Sequence, residues 1–249
     1  LSIPYTISFS YILAAQYMNK SDGNIPSAIL ACLILALIVG VLNGMGTCML
    51  RIPAFIMTLG LGTVLRGAYT IWTKGTPKGY TAPLIYKIAN GSAGPVPYIV
   101  IVWFVMAVLT IAMLRLTPYG RKIYAVGSSA IVSRFSGINT RRVIFSVYIL
   151  SALVACITGF FLIGYTGESY MDAGLKYDTN VIAAVIIGGT SINGGKGGYL
   201  GSAVGSLIMI VFTDFLQIIR MAEGFRQVGM GALILSLIML YARESKVRI

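Results

Sequence analysis

The sequence predicts an all-α, polytopic bundle of membrane-spanning helices, and three observations carry that prediction. Hydrophobic residues make up 57% of the 249 residues and charged residues only 10%, where a soluble domain carries about 25% charge. Several charge-free runs reach the ~20 residues that a bilayer-crossing helix needs. The breaks between them are rich in Gly, Pro, Asn and Asp, which punctuate helices. The same composition excludes an ordinary soluble globule, which needs more ionic surface, and a disordered chain, which is polar and poor in aromatics.

In chain order, about eight membrane segments meet or approach the length criterion. Residues 1–18 form a short or broken span. A polar turn at 19–24, with Pro26 behind it, precedes the charge-free run 27–50. Arg51-Ile52-Pro53 is a tight link to 54–73, which holds one internal charge, Arg66. Residues 74–97 read as a loop, because Gly75, Pro77, Gly79, Pro83, Gly91, Gly94, Pro95 and Pro97 crowd it. Segments 96–114 and 143–165 are apolar. Segment 179–193 is short and glycine-interrupted, 199–219 contains Asp214, and 228–242 closes the series. No loop is long enough for a soluble domain. The start at Leu1, without a basic stretch and cleavage site, reads as a fragment with no signal peptide.

The net charge of +12 would suggest nucleic acid in a soluble protein. In a polytopic chain it is read through loop asymmetry, because Lys and Arg concentrate on the cytoplasmic side. Arg115, Arg121, Lys122, Arg134, Arg141 and Arg142 occupy one connection without an acid. The tail holds Arg243, Lys246 and Arg248 against Glu244. Both are expected in the cytoplasm, and the four segments between them agree by parity. The connection 167–178, with Glu168, Asp172 and Asp178 against Lys176, is expected outside. Lys74, Lys78 and Lys87 are then also outside, against the rule, and six charges outweigh three.

Chemistry-bearing residues are sparse. Histidine is absent, which removes the commonest general base and metal ligand, so neither catalysis nor a metal site is expected. Cys32, Cys48 and Cys156 lie in apolar runs without a pairing pattern and read as small buried hydrophobes. Arg66 and Asp214 are the two intramembrane charges. At about 1.5 Å per residue both fall in the outer half of the membrane, and Asp214 is expected to face a wet vestibule and pair with Arg66. Asn43 and Asn193 are further pathway candidates, with core hydrogen bonding as the equal alternative.

Two segments carry more information. In the basic connection, Pro118 and Gly120 end the preceding helix, Ser128 or Ser129 caps a short helix over 130–135, and Gly137 stops it. This amphipathic helix is either an anchor on anionic headgroups or a docking element for a cytoplasmic partner. The second segment crowds Gly188, Gly189, Gly194, Gly195, Gly197, Gly198, Gly201 and Gly205 together. A phosphate-binding P-loop fails on spacing, since Thr190 stands where its first glycine belongs and Gly197 where Ser or Thr must follow Lys196. Gly197, Gly201 and Gly205 instead repeat at four-residue intervals, as in close helix packing. Direct substrate contact stays open beside it.

These segments resemble one family. Thr117, Gly120, Arg121, Tyr124, Ala125 and Gly127, then Gly137 and Ile138, fit the Thr-x-x-Gly-Arg-x-x-Tyr-Ala-x-Gly loop of permease subunits of ribose-type ABC importers, in the branched-chain amino acid/monosaccharide permease superfamily. Residues 182–201 resemble its glycine-rich signature. Residues 51–60 with Arg66-Gly67, and the opening Leu1-Ser2-Ile3, are similar to two more of its segments. The resemblance implies a fold of about ten helices, with residues 1–249 one permease domain lacking about two at its N-terminus. It makes Gly120, Arg121, Tyr124, Ala125, Gly127, Ala130, Arg134, Gly137 and Ile138 the ATPase-coupling loop. It also implies a second permease subunit, two cytoplasmic ATPase subunits that bind ATP and Mg, and an extracytoplasmic sugar-binding protein. This subunit would bind no cofactor and lie in the bacterial plasma (inner) membrane, C-terminus inside. The solute would be a monosaccharide such as ribose, with branched-chain amino acids or nucleosides as the nearer alternative. An ion-coupled secondary transporter needs buried acidic or His relays, and only Asp214 is available. A membrane-embedded enzyme needs a catalytic constellation that the acids at 168–178 do not supply.

Overall fold

The computed structural model describes residues 1–191, 194–222, 224–232 and 236. The helices, in chain order, are α1 (Ile3–Met18), α2 (Ile25–Cys48), α3 (Ala54–Thr73), α4 (Pro83–Asn90), α5 (Tyr98–Leu116), α6 (Pro118–Ser128), α7 (Ala130–Phe135), α8 (Thr140–Thr166), α9 (Asp178–Ile187) and α10 (Tyr199–Ile218), with residues 224–232 also helical. Single 3₁₀ turns lie at Asp22–Asn24 and Leu175–Tyr177. A two-residue antiparallel hairpin, Ser92–Ala93 with Val96–Pro97, turns at Gly94, whose positive φ of 64° suits glycine.

Among the described residues, five helical stretches are long and apolar enough to cross a membrane: Asp22–Cys48, Ala54–Thr73, Tyr98–Leu116, Thr140–Thr166 and Tyr199–Ile218. The expected count of about eight is not reached there. Helix α1 has 16 residues and α9 only 10, about 24 and 15 Å at 1.5 Å per residue. The segment at 228–242 lies mostly outside the described residues. The expected loop at 74–97 contains α4 and the hairpin, because Pro83 suits the first helical turn.

The chain forms two compact units, Leu1–Val108 with Asn139–Asp178, and Leu109–Ile138 with Thr179–Ile249. In the first, α1 is a continuous helix and the centre of the core. Tyr11, Ile12, Ala14, Ala15 and Met18 are fully enclosed, with Ala28, Ala36, Val39, Tyr69 and Ile163 around them. Its hydroxyls survive burial by bonding within the helix. Thr6 donates to the Ser2 carbonyl (2.9 Å), Ser8 to Pro4 (3.0 Å) and Ser10 to Ile7 (3.0 Å). Helix α8 approaches α1 so closely that a Cβ on Gly159 would stand 2.5 Å from the Ile7 carbonyl oxygen. A Cβ on Gly40 would likewise stand 2.6 Å from the Ile149 Cα, which sets the α2–α8 contact.

One end of this unit gathers three connections. The Thr81 amide donates to the Gly167 carbonyl (2.9 Å), the Ser169 amide to Gly79 (3.2 Å), and the Leu84 amide, in the first turn of α4, to the Asp22 carboxylate (2.9 Å). Lys20 sits 4.0 Å over the Tyr80 ring. The opposite end carries Arg51, Arg141 and Arg142. There Asn139 caps α8 by accepting from the Arg142 amide (3.1 Å), and the Cys48 thiol faces the Arg141 carbonyl.

The second unit packs differently. Helices α9 and α10 run antiparallel, with Gly188 against Gly201 and Ala184 against Gly205. A Cβ on Gly188 or Gly201 would overlap the other's backbone, so the two chains touch main chain to main chain. Ala183, Ala184 and Met209 form its small buried cluster among the described residues.

Candidate functional site

The basic connection folds into two consecutive helices. Thr117 caps α6, its Oγ1 accepting from the Gly120 amide (3.2 Å) and donating to the Met113 carbonyl (2.5 Å). Pro118 therefore opens a helix where the sequence reading had it only ending one. Thr followed by Pro is a start signal in its own right. Gly120 is buried against the Leu114 backbone, where a Cβ would overlap the carbonyl as the chain doubles back from α5.

Ser128 ends α6, and the extended Ser129 caps α7, its Oγ accepting from the Val132 amide (3.3 Å). Helix α7 covers the expected residues. Gly137 follows it at φ 79°, with its amide on the Arg134 carbonyl (3.1 Å) and the Ile138 amide on Ser133 (3.0 Å). Ser133 is buried, while Ile131, Val132 and Phe135 are 72%, 62% and 89% exposed. Ala130 and Arg134 on α7, and Arg121 and Lys122 on α6, are also exposed. A six-residue helix thus presents exposed apolar side chains beside an exposed arginine.

The glycine-rich segment meets α6 inside the same unit. The Tyr124 hydroxyl donates to the Gly197 carbonyl (3.0 Å). A Cβ on Gly127 would lie 2.8 Å from the Gly195 amide nitrogen, and one on Gly194 would lie 2.7 Å from the Gly127 carbonyl. Two motifs separated by some 70 residues in sequence are thereby brought together, a juxtaposition with no local sequence signal. Ala125 lies half-buried between Tyr124 and the buried Val126. Gly189, at φ 79°, closes α9, and Gly197, at φ 139°, lies against Thr190.

The pathway candidates separate. Asn43 is buried and donates to the Ser2 hydroxyl (3.0 Å), while its Oδ1 has no partner in the described structure. Arg66, for which the sequence suggests Asp214 as partner, pairs with Asp172 at 2.7 Å. Position along a span did not reveal that the 167–178 connection folds back onto α3. Asp172, at φ 58°, also accepts from the Tyr69 hydroxyl. Arg66 and Tyr69 are three apart on α3 and so share a face, a signal the reading passed over. Asp214 is exposed on α10, and Asn193 lies outside the described residues. In the same connection, burial lowers the affinity of Lys176 for its proton, but Tyr177 and Tyr170 outweigh it and raise its pKa above the ordinary lysine value. Among the described residues no group of three or more His, Cys, Asp or Glu stands ready for a metal ion.

Comparison with known proteins agrees with the family resemblance. The family model described as branched-chain amino acid transport system / permease component matches residues 2–242. The probable ABC transporter permease protein YphD of Escherichia coli (strain K12) is 32% identical over 202 residues, 80% of this chain and 61% of that protein. The ribose import permease protein RbsC of the same strain is 31% identical over 243 residues, 94% of this chain and 74% of that one. The fructose import permease protein FrcC of Rhizobium meliloti is 26% identical over 246 residues, 94% and 68%. The chain spans about three fifths of the length of YphD and of the Haemophilus influenzae RbsC. No solved structure matches.

Proposed function

The chain belongs to the family of branched-chain amino acid transport system permease components, and from that premise we propose that it is the membrane-spanning permease subunit of an ATP-driven importer for a ribose-like monosaccharide. The sugar reading draws on the relatives, one of which is a ribose and one a fructose import permease. The end of the first unit with Arg51, Arg141 and Arg142 faces the cytoplasm, as does the C-terminus, in keeping with the enrichment of Lys and Arg there. Two cytoplasmic ATPase subunits carry ATP and Mg, a second permease subunit completes the pore, and an extracytoplasmic binding protein delivers the sugar. This subunit alternates between outward- and inward-open packings and holds no cofactor itself. The membrane is the bacterial plasma membrane.

The observation that carries this reading is α7. Ile131, Val132 and Phe135 project together from a helix capped at both ends. A helix this short has too little apolar area for a firm membrane anchor, whereas a rigid aromatic knob with an arginine beside it has the composition of an interface anchor. The test is co-purification of the ATPase with the permease from membranes. Phe135→Glu with Arg134→Glu should reduce recovered ATPase by about tenfold or more, as loss of an interface anchor does, while the permease stays in the membrane. Recovery at the wild-type level would remove the proposal. Uptake competition among ribose, fructose and leucine then identifies the solute class.

A further inference from the structure

We infer that the glycine-rich turn at 194–198 is the element through which displacement of α7 reaches the membrane helices, with Tyr124 and Gly127 as positioning residues that seat the turn on α6. This rests on the proposed coupling role of α7 and says how that role is transmitted. The turn touches the chain at the last residues of α6, immediately before Ser129 begins α7. Gly195 stands against Ser128, where a Cβ would come within 2.6 Å of the Ser128 Cα. Gly127 meets the Gly194–Gly195 backbone, and the Tyr124 hydroxyl holds the Gly197 carbonyl at 3.0 Å.

Three features suit these contacts to transmitting a push. Gly127 and Gly194–Gly195 meet backbone to backbone, so no rotamer change absorbs displacement there. The turn is braced internally, with the Ser191 amide on the Lys196 carbonyl (3.0 Å) and the Gly194 amide on Ser191 (3.1 Å). Beyond it, Gly188 on Gly201 and Ala184 against Gly205 tie α9 to α10 over successive turns, so the pair follows the turn as one body.

The experiment uses the full importer, permease with its ATPases and binding protein in proteoliposomes, and reads solute moved per ATP hydrolysed. Gly195→Ala drives a methyl onto the Ser128 backbone at a residue with φ 72°. Overpacking of that kind should lower the ratio by about tenfold while hydrolysis continues. Gly198→Ala, in the same turn but with nothing near its Cβ, should stay within about twofold of wild type. Tyr124→Phe removes one hydroxyl without threatening the fold and should lower the ratio by about threefold. Uptake and hydrolysis falling in proportion, or a wild-type ratio in both Gly195→Ala and Tyr124→Phe, would overturn the inference. Failure of the wild-type permease to recruit any ATPase would instead bring down the proposed function, and this inference with it.

Discussion

Tyr11 and Tyr69 are fully enclosed in the first unit, where Tyr11 bonds the Glu168 carbonyl (2.6 Å) and stacks edge-on against Tyr170. In the second unit the closest approaches join Gly188 to Gly201 and Ala184 to Gly205. The first unit also uses glycines at its α1–α8 and α2–α8 contacts, but large side chains interlock around them. In the second, the buried cluster of Ala183, Ala184 and Met209 contains, among the described residues, nothing larger than a methionine. Interlocked side chains resist sliding, because each must leave its slot. A close interface of small residues instead ties α9 to α10 main chain to main chain, so that the pair can move as one body. On the proposed function, the first unit serves as the frame and the α9–α10 pair as the part that shifts.

The sharpest way to break that contrast is to damage each unit by its own logic. Tyr11→Ala empties the centre of the frame and should cost about 3–5 kcal/mol, in the range of buried aromatic truncations, read as a lowered Tm in detergent. Gly201→Val places a branched side chain on the Gly188 backbone and should cost about 1–3 kcal/mol in stability. It should also freeze uptake even where protein level recovers. Equal stability losses with uptake spared by Gly201→Val would erase the distinction between frame and moving part.

The sequence made α2, α3 and α8 legible because runs of apolar residues bounded by Pro, Gly and Asn admit one reading in a bilayer. Helix α7 was legible to the residue, since Ser129 and Gly137 are local cap signals. Helix α6 was missed because Pro118 was read as a stop although Thr117 before it is a start. The meeting of Tyr124 with Gly197, and of Arg66 with Asp172, was beyond reach for a different reason. Each joins residues that only tertiary folding brings together, and no local preference encodes them. The same holds for α1, whose Ser and Thr content lowers its apparent membrane character although it is the most enclosed helix.

The smallest expected effect lies at the frame's connection-bearing end, where the Arg66–Asp172 pair ties the 167–178 connection to α3. The Arg66 side chain is 52% exposed and that of Asp172 26%, so water reaches the pair from the Arg66 side and screens it. Exposed pairs of this kind contribute about 0.2–1 kcal/mol in double-mutant cycles. A cycle of Arg66→Gln, Asp172→Asn and the double variant should give a coupling in that range, shrinking with added salt. Asp172→Asn alone should cost slightly more than Arg66→Gln, because the enclosed Tyr69 hydroxyl also donates to Asp172 and an amide oxygen is the weaker acceptor. A salt-insensitive coupling of several kcal/mol would mean that a polar lock, and not the aromatic core around Tyr11, holds the frame at that end.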